Sequence, residues 1–84
     1  MMTGLCLLHR REGDMARFYV VQVGRSLLGE PAVVRFWGRL GAQQRHVVTV
    51  CSSEDEAYRL ARRLVRTRLR RGYRIVQNNI PDLD

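Results

Sequence analysis

Lysine is absent. All fifteen cations of this 84-residue chain are arginine, set against only eight acids, for a net charge of +7. Composition leaves two readings of that excess open. One is solubility combined with the codon bias of a GC-rich genome. The other is phosphate recognition, in which a planar guanidinium holds two oxygens at once, and a small, strongly basic domain carries the electrostatic footprint of a nucleic-acid binder. Charge alone does not separate DNA from RNA or from an acidic membrane surface. Cysteine is also scarce, and Cys6 and Cys51 are too few for a disulfide framework. The longest early apolar run, Leu5–Leu8, is too short for a signal peptide or a membrane span. The expectation is a cytoplasmic protein with reduced thiols and no membrane association.

What is present suffices for one domain, expected over 1–84, with one modest core. A hydrophobic share of 45% argues against disorder. No internal repeat, low-complexity segment, glycine-rich phosphate loop or nucleotide fingerprint occurs. The side chains able to hold a metal are Cys6, His9, His46 and Cys51. Cys6 and His9 lie three apart and His46 and Cys51 five apart, and odd spacings on strands send side chains to opposite faces. Neither pair converges on one zinc. Ser52 and Ser53 read as helix caps rather than nucleophiles. The chain is therefore expected to have no catalytic residues, no metal and no cofactor.

Strands are expected at Leu5–His9, Phe18–Val23, Ala32–Trp37 and Arg45–Cys51, separated by the turn Glu12-Gly13-Asp14, the loop Gly24–Pro31 and the turn Gly38–Gly41. Ser53 with Glu56 fits a capping box, and the acids Glu54, Asp55 and Glu56 suit the positive end of a helix dipole. Ala57, Leu60, Ala61, Leu64, Val65 and Leu69 then repeat at helical spacing until Gly72. Arg59, Arg62, Arg63, Arg66 and Arg70 fill the opposite half of that helix, as a solvated face or a second phosphate-tracking surface. Arg68 and Arg71 instead project from its apolar side. Tyr73–Val76 reads as a last short strand and 78–84 as a loose tail, with the domain's core over about 14–74. The expected fold is α+β: a small antiparallel sheet of four to five strands with one long helix packed across one face.

Alternation along the third strand sorts Ala32, Val34 and Phe36 to one side and Val33, Arg35 and Trp37 to the other. The first set is wholly apolar and is expected beneath the helix. That turns Trp37 outward beside Arg35, with Gly38 leaving its edge open and Arg39 two residues on. Such a Trp offers a flat surface to a sugar or base while the cations take the adjoining phosphate. The competing reading is a Trp that caps the edge of the core, covered by the methylene stem of Arg35.

The run Arg35-Phe36-Trp37-Gly38-Arg39-Leu40-Gly41 resembles the signature of the WGR family, named for its Trp-Gly-Arg. Arg17-Phe18-Tyr19 resembles the basic-aromatic-Tyr opening of that family's first conserved strand. Glu56-Ala57 and Arg71-Gly72-Tyr73 are similar to the start and close of its helix. The likeness covers about residues 14–74. It implies a non-catalytic nucleic-acid-binding module, of the kind found in poly(ADP-ribose) polymerases that detect DNA breaks and in short free-standing bacterial proteins. In the polymerases the signature Trp packs on the sugar at a DNA 5′ end, and the signature Arg supports DNA contact and communication between domains. By resemblance these roles fall to Trp37 and Arg39, and a DNA contact to Arg17. Where some break-sensing members carry an Asn that meets the terminal phosphate, this chain has Ala16.

The expected nucleic-acid-binding residues are thus Arg17, Arg35, Trp37, Gly38 and Arg39. The expected partner is DNA, as ends or duplex, with RNA second, and the expected state is a monomer or weak homodimer. The alternative is a protein-interaction adaptor docking through the Trp37 loop, because Trp and Arg are also favoured at protein interfaces.

Overall fold

In a computed structural model, which describes residues 3–83, the chain forms five strands and one helix. The strands are β1 (Gly4–Glu12), β2 (Met15–Arg25), β3 (Pro31–Arg39), β4 (Gln44–Val50) and β5 (Arg74–Asn78), and α1 (Glu54–Arg70) lies between the last two. All neighbours pair antiparallel, in the order β4-β3-β2-β1-β5. With α1 packed on one face, this is the expected α+β fold. All strands but β4, which is only shifted by one residue, run longer than the apolar pattern suggested, and Gly38 and Arg39 belong to β3 rather than to the turn after it.

Directly paired residues share a face of a sheet. The buried core joins Cys6 and Leu8 of β1, Tyr19, Val21 and Val23 of β2, and Val33 of β3 to Ala57, Ala61 and Val65 of α1. Cys51, Tyr73 and Ile80 complete it. The core therefore reaches beyond the expected 14–74 at both ends. The loose tail expected over 78–84 is corrected at its start, since β5 includes Asn78 and Ile80 is 2% exposed. Met1, Met2 and Asp84, included in the expected 1–84 domain, lie outside the described residues.

The face assignment of β3 is inverted. Val33 is fully buried in the core, and Trp37 packs against that same core. Phe36 instead lies against His46, ring centroids 5.9 Å apart, on the face that α1 does not cover. Val34 joins Val48, Leu27, Leu28 and the buried Ala32 around a hollow on that open face. The reason is that this sheet is apolar on both sides. Leu5, Leu7, Phe18, Val20, Val34 and Phe36 are half-buried across the open face, so a wholly apolar alternate set did not mark the side beneath the helix.

Both ends of α1 are closed locally. Ser53 Oγ accepts the Glu56 N–H at 3.1 Å, while the Glu56 carboxylate accepts from the Ser52 hydroxyl instead of reaching back to Ser53. At the other end Gly72 adopts φ +92°, a left-handed conformation suited to glycine. The Gly72 N–H then bonds to Leu69 O and the Tyr73 N–H to Arg68 O, both at 3.1 Å, the Schellman arrangement. This closure brings Tyr73 back under the last turn, beside Arg68.

Both cysteines are free and buried. Burial pushes the Cys6 thiol up to about 11, and burial followed by the Glu56 carboxylate raises that of Cys51. Among the described residues, no group of three or more His, Cys, Asp or Glu is arranged to hold a metal, and no helix is long and apolar enough to cross a membrane.

Candidate nucleic-acid interface

Two cross-strand rows build the site. The β1–β2 turn sets Arg10 opposite Arg17, and the β2–β3 pairing sets Arg17 opposite Arg39. The adjacent row runs Leu8, Tyr19, Trp37 and Arg45. Both rows lie on the face that carries α1, because Leu8 and Tyr19 are core residues. Like charges directly opposite one another destabilise a sheet, so three arginines in one row oppose folding unless an anion offsets them. Within the chain Glu12 does so, forming ion pairs with Arg10 and, at 3.8 Å, with Arg17 Nε. Among the described residues Arg39 reaches only the Met15 thioether, at 3.3 Å.

Aromatic rings form the floor. Trp37 stacks on Tyr19 at 6.2 Å with 28° between ring planes, and Tyr73 meets Tyr19 edge-on at 6.3 Å. Guanidinium groups lie over these rings. Arg35 is 5.8 Å from the Trp37 centroid, Arg68 is 4.1 Å from Tyr19 and 5.7 Å from Tyr73, and Arg10 is 5.2 Å from Tyr73. Each cation gains from the negative ring face; Arg10 also donates to the Arg71 carbonyl at 2.8 Å and pairs with Glu12. Nε of Arg10, Arg17 and Arg35 is shielded and has no hydrogen-bond partner. Among the described residues, Arg35, Arg39, Arg45 and Arg68 have no carboxylate partner.

Beside this floor opens a cleft of about 450 Å³, lined by Arg17, Trp37, Gly38, Arg39, Ala42, Gln43, Arg45 and Tyr73. No acid lines it. Gly38 allows a close approach of strands here, because a Cβ would lie 3.1 Å from the Gln43 carbonyl oxygen and 3.4 Å from Gln44 Cα, tight contacts with backbone. The expected residues Arg17, Trp37, Gly38 and Arg39 therefore come together, whereas Arg35 sits over the Trp ring one row inward. Trp37 is half-buried, with a ring that rests on Tyr19, so the outward-facing Trp of the strand pattern is corrected to one shared between core and cleft. The expectation that helix and Trp37 occupy opposite faces fails with it.

Sequence reasoning missed Arg45, Tyr73 and Arg10. A signal for two of them existed. The turn at Glu12-Gly13-Asp14 fixes Arg10 opposite Arg17, and the loop after Arg39 fixes Arg45 opposite Trp37. Tyr73 is brought there by the helix closure at Gly72, which the sequence shows without showing that the ring turns toward Tyr19.

The WGR domain family model matches residues 4–80, nearly the whole chain. The chain belongs to the WGR domain family. WGR domains are binding modules known for nucleic-acid binding. The chain is also 36% identical over 61 residues to "Uncharacterized protein y4dW" of the bacterium Sinorhizobium fredii (strain NBRC 101917 / NGR234). That match covers 73% of this chain but only 30% of y4dW, so this WGR chain spans under a third of its relative's length. No solved structure matches it.

Proposed function

We propose that this WGR domain is a non-catalytic DNA-binding module that holds phosphates in the cleft between Trp37 and the Arg10–Arg17–Arg39 row. The observation that carries the reading is the row itself. Three arginines opposite one another across three strands cost stability, and a phosphate backbone is the counter-charge that offsets the cost on binding. Arg17, Arg39 and Arg45 line the cleft and meet phosphate, and the Trp37 edge takes the adjoining sugar. Arg35 and Arg68 hold the aromatic floor in place and add positive potential. Phosphate contacts of this kind position a protein without reading sequence, so duplex and ends are both substrates and the base sequence matters little.

Mobility shifts with nicked, blunt, overhanging and closed circular DNA, with RNA as comparison, test the proposal. Arg39→Glu is expected to weaken binding at least tenfold. Joint reversal of Arg59 and Arg63, exposed on the helix, is expected to weaken it less. The opposite ranking in folded proteins would move the site to the helix. Binding of a protein partner through the cleft, with no affinity for nucleic acid, would replace the proposal with the adaptor reading.

A further inference from the structure

The two edges of the sheet are built differently. β5 has five residues, includes Arg74, and shifts register against β1 between Leu7 and Leu8. Short length, a charge and an irregularity are the usual protections of an edge against pairing with another chain. β4 has none of these along its centre. Its seven residues pair with β3 without a shift, contain no proline, and end in Val47-Val48-Thr49-Val50, and all seven are exposed. Val48 is 53% and Val50 49% exposed.

Its free hydrogen-bonding groups are fixed by one bond. The Cys51 N–H donates to Pro31 O at 2.8 Å, so the backbone of Cys51 points toward β3. Backbone polarity alternates along an antiparallel strand. Thr49, Val47 and Arg45 therefore also face β3, and Gln44, His46, Val48 and Val50 present N–H and C=O groups to the free edge. We infer that β4 pairs antiparallel with β4 of a second copy about a two-fold axis at Val47, joining two sheets into one.

The register supports a second copy over any other strand. Centred on Val47, every residue of β4 gains a partner, and each outward N–H meets an outward C=O. Gln44 falls opposite Val50 and His46 opposite Val48, while Val47 meets itself in the close, non-hydrogen-bonded position. Arg45, the strand's one full charge, falls opposite Thr49 instead of its own copy, so no like-charge pair forms within the ladder, and beside Thr49 the cations Arg59 and Arg63 are accompanied by Glu56. An axis perpendicular to the sheet puts both helices, and both basic clefts, on the same side. An edge ladder buries less than the roughly 1,200–2,000 Å² of a standard interface, so the dimer is weak and forms at high micromolar concentration.

Sedimentation equilibrium of the 84-residue chain, from about 10 μM to 1 mM, reads the association. A concentration-dependent rise from one to two chain masses is expected. Val48→Pro removes an N–H that points away from β3, a position where an edge strand tolerates proline. It should keep the fold, judged by circular dichroism, and weaken dimerisation at least tenfold. Val47→Lys sets two ammonium groups together at the axis and should do the same. Concentration-dependent amide shifts in the wild-type chain should concentrate on β4, which decides the matter even if both variants unfold. A chain that stays monomeric throughout, a dimer that persists in either folded variant, or shifts that lie elsewhere would overturn the inference.

Discussion

Trp37 serves the core and the cleft with one ring. Its stacking on Tyr19 ties it to folding, and its place beside Arg17 and Arg39 ties it to binding. Trp37→Ala is therefore expected to reduce both, by about 2–4 kcal/mol of stability and about tenfold in affinity for a short duplex. Phe36, one residue earlier, loses only its open-face neighbours on truncation, of which His46 is the nearest ring. Phe36→Ala should cost about 1–2 kcal/mol and leave binding unchanged. Thermal melts and a titration with labelled DNA measure both quantities. A Phe36→Ala protein that melts well below Trp37→Ala would contradict the assignment of strand faces.

At the scale of elements, the close of α1 links folding to the site. Gly72, in its left-handed conformation, lets the chain reverse so that Tyr73 lies near Arg68 and Tyr19. Gly72→Ala is expected to cost about 1–2 kcal/mol and to weaken DNA binding as the Tyr73–Arg68 pair loosens, a coupled loss measurable by a melt and a titration. Unchanged affinity in a destabilised Gly72→Ala protein would separate the helix end from the site. That closure was legible in the sequence, as were the helix with its Ser53 cap and the five strands, β2, β3 and β4 from clear β-branched runs. The faces of β3 were not, because alternation is informative only when one side of a sheet is polar, and here Phe18, Val20 and Val34 make the open side apolar too. Arg39 was found by the signature motif. Arg45 became visible only once the hairpin register set it opposite Trp37.

For the whole molecule, charge is concentrated where the chain lacks acids. Among the described residues Glu12 is the one carboxylate that forms ion pairs with the Arg10–Arg17–Arg39 row, and Arg45 adds a cation across from Trp37 with no carboxylate partner. Binding by that end of the sheet releases condensed counterions from DNA, so affinity falls linearly with salt on logarithmic axes. The most direct measurement is that slope for the wild-type domain and for Arg45→Ala, with the fold of each checked by a melt. The account predicts a steep negative slope for wild type, made shallower by about one unit in Arg45→Ala. A wild-type affinity that is flat with salt, or a slope that Arg45→Ala leaves unchanged, would contradict phosphate recognition at this cleft.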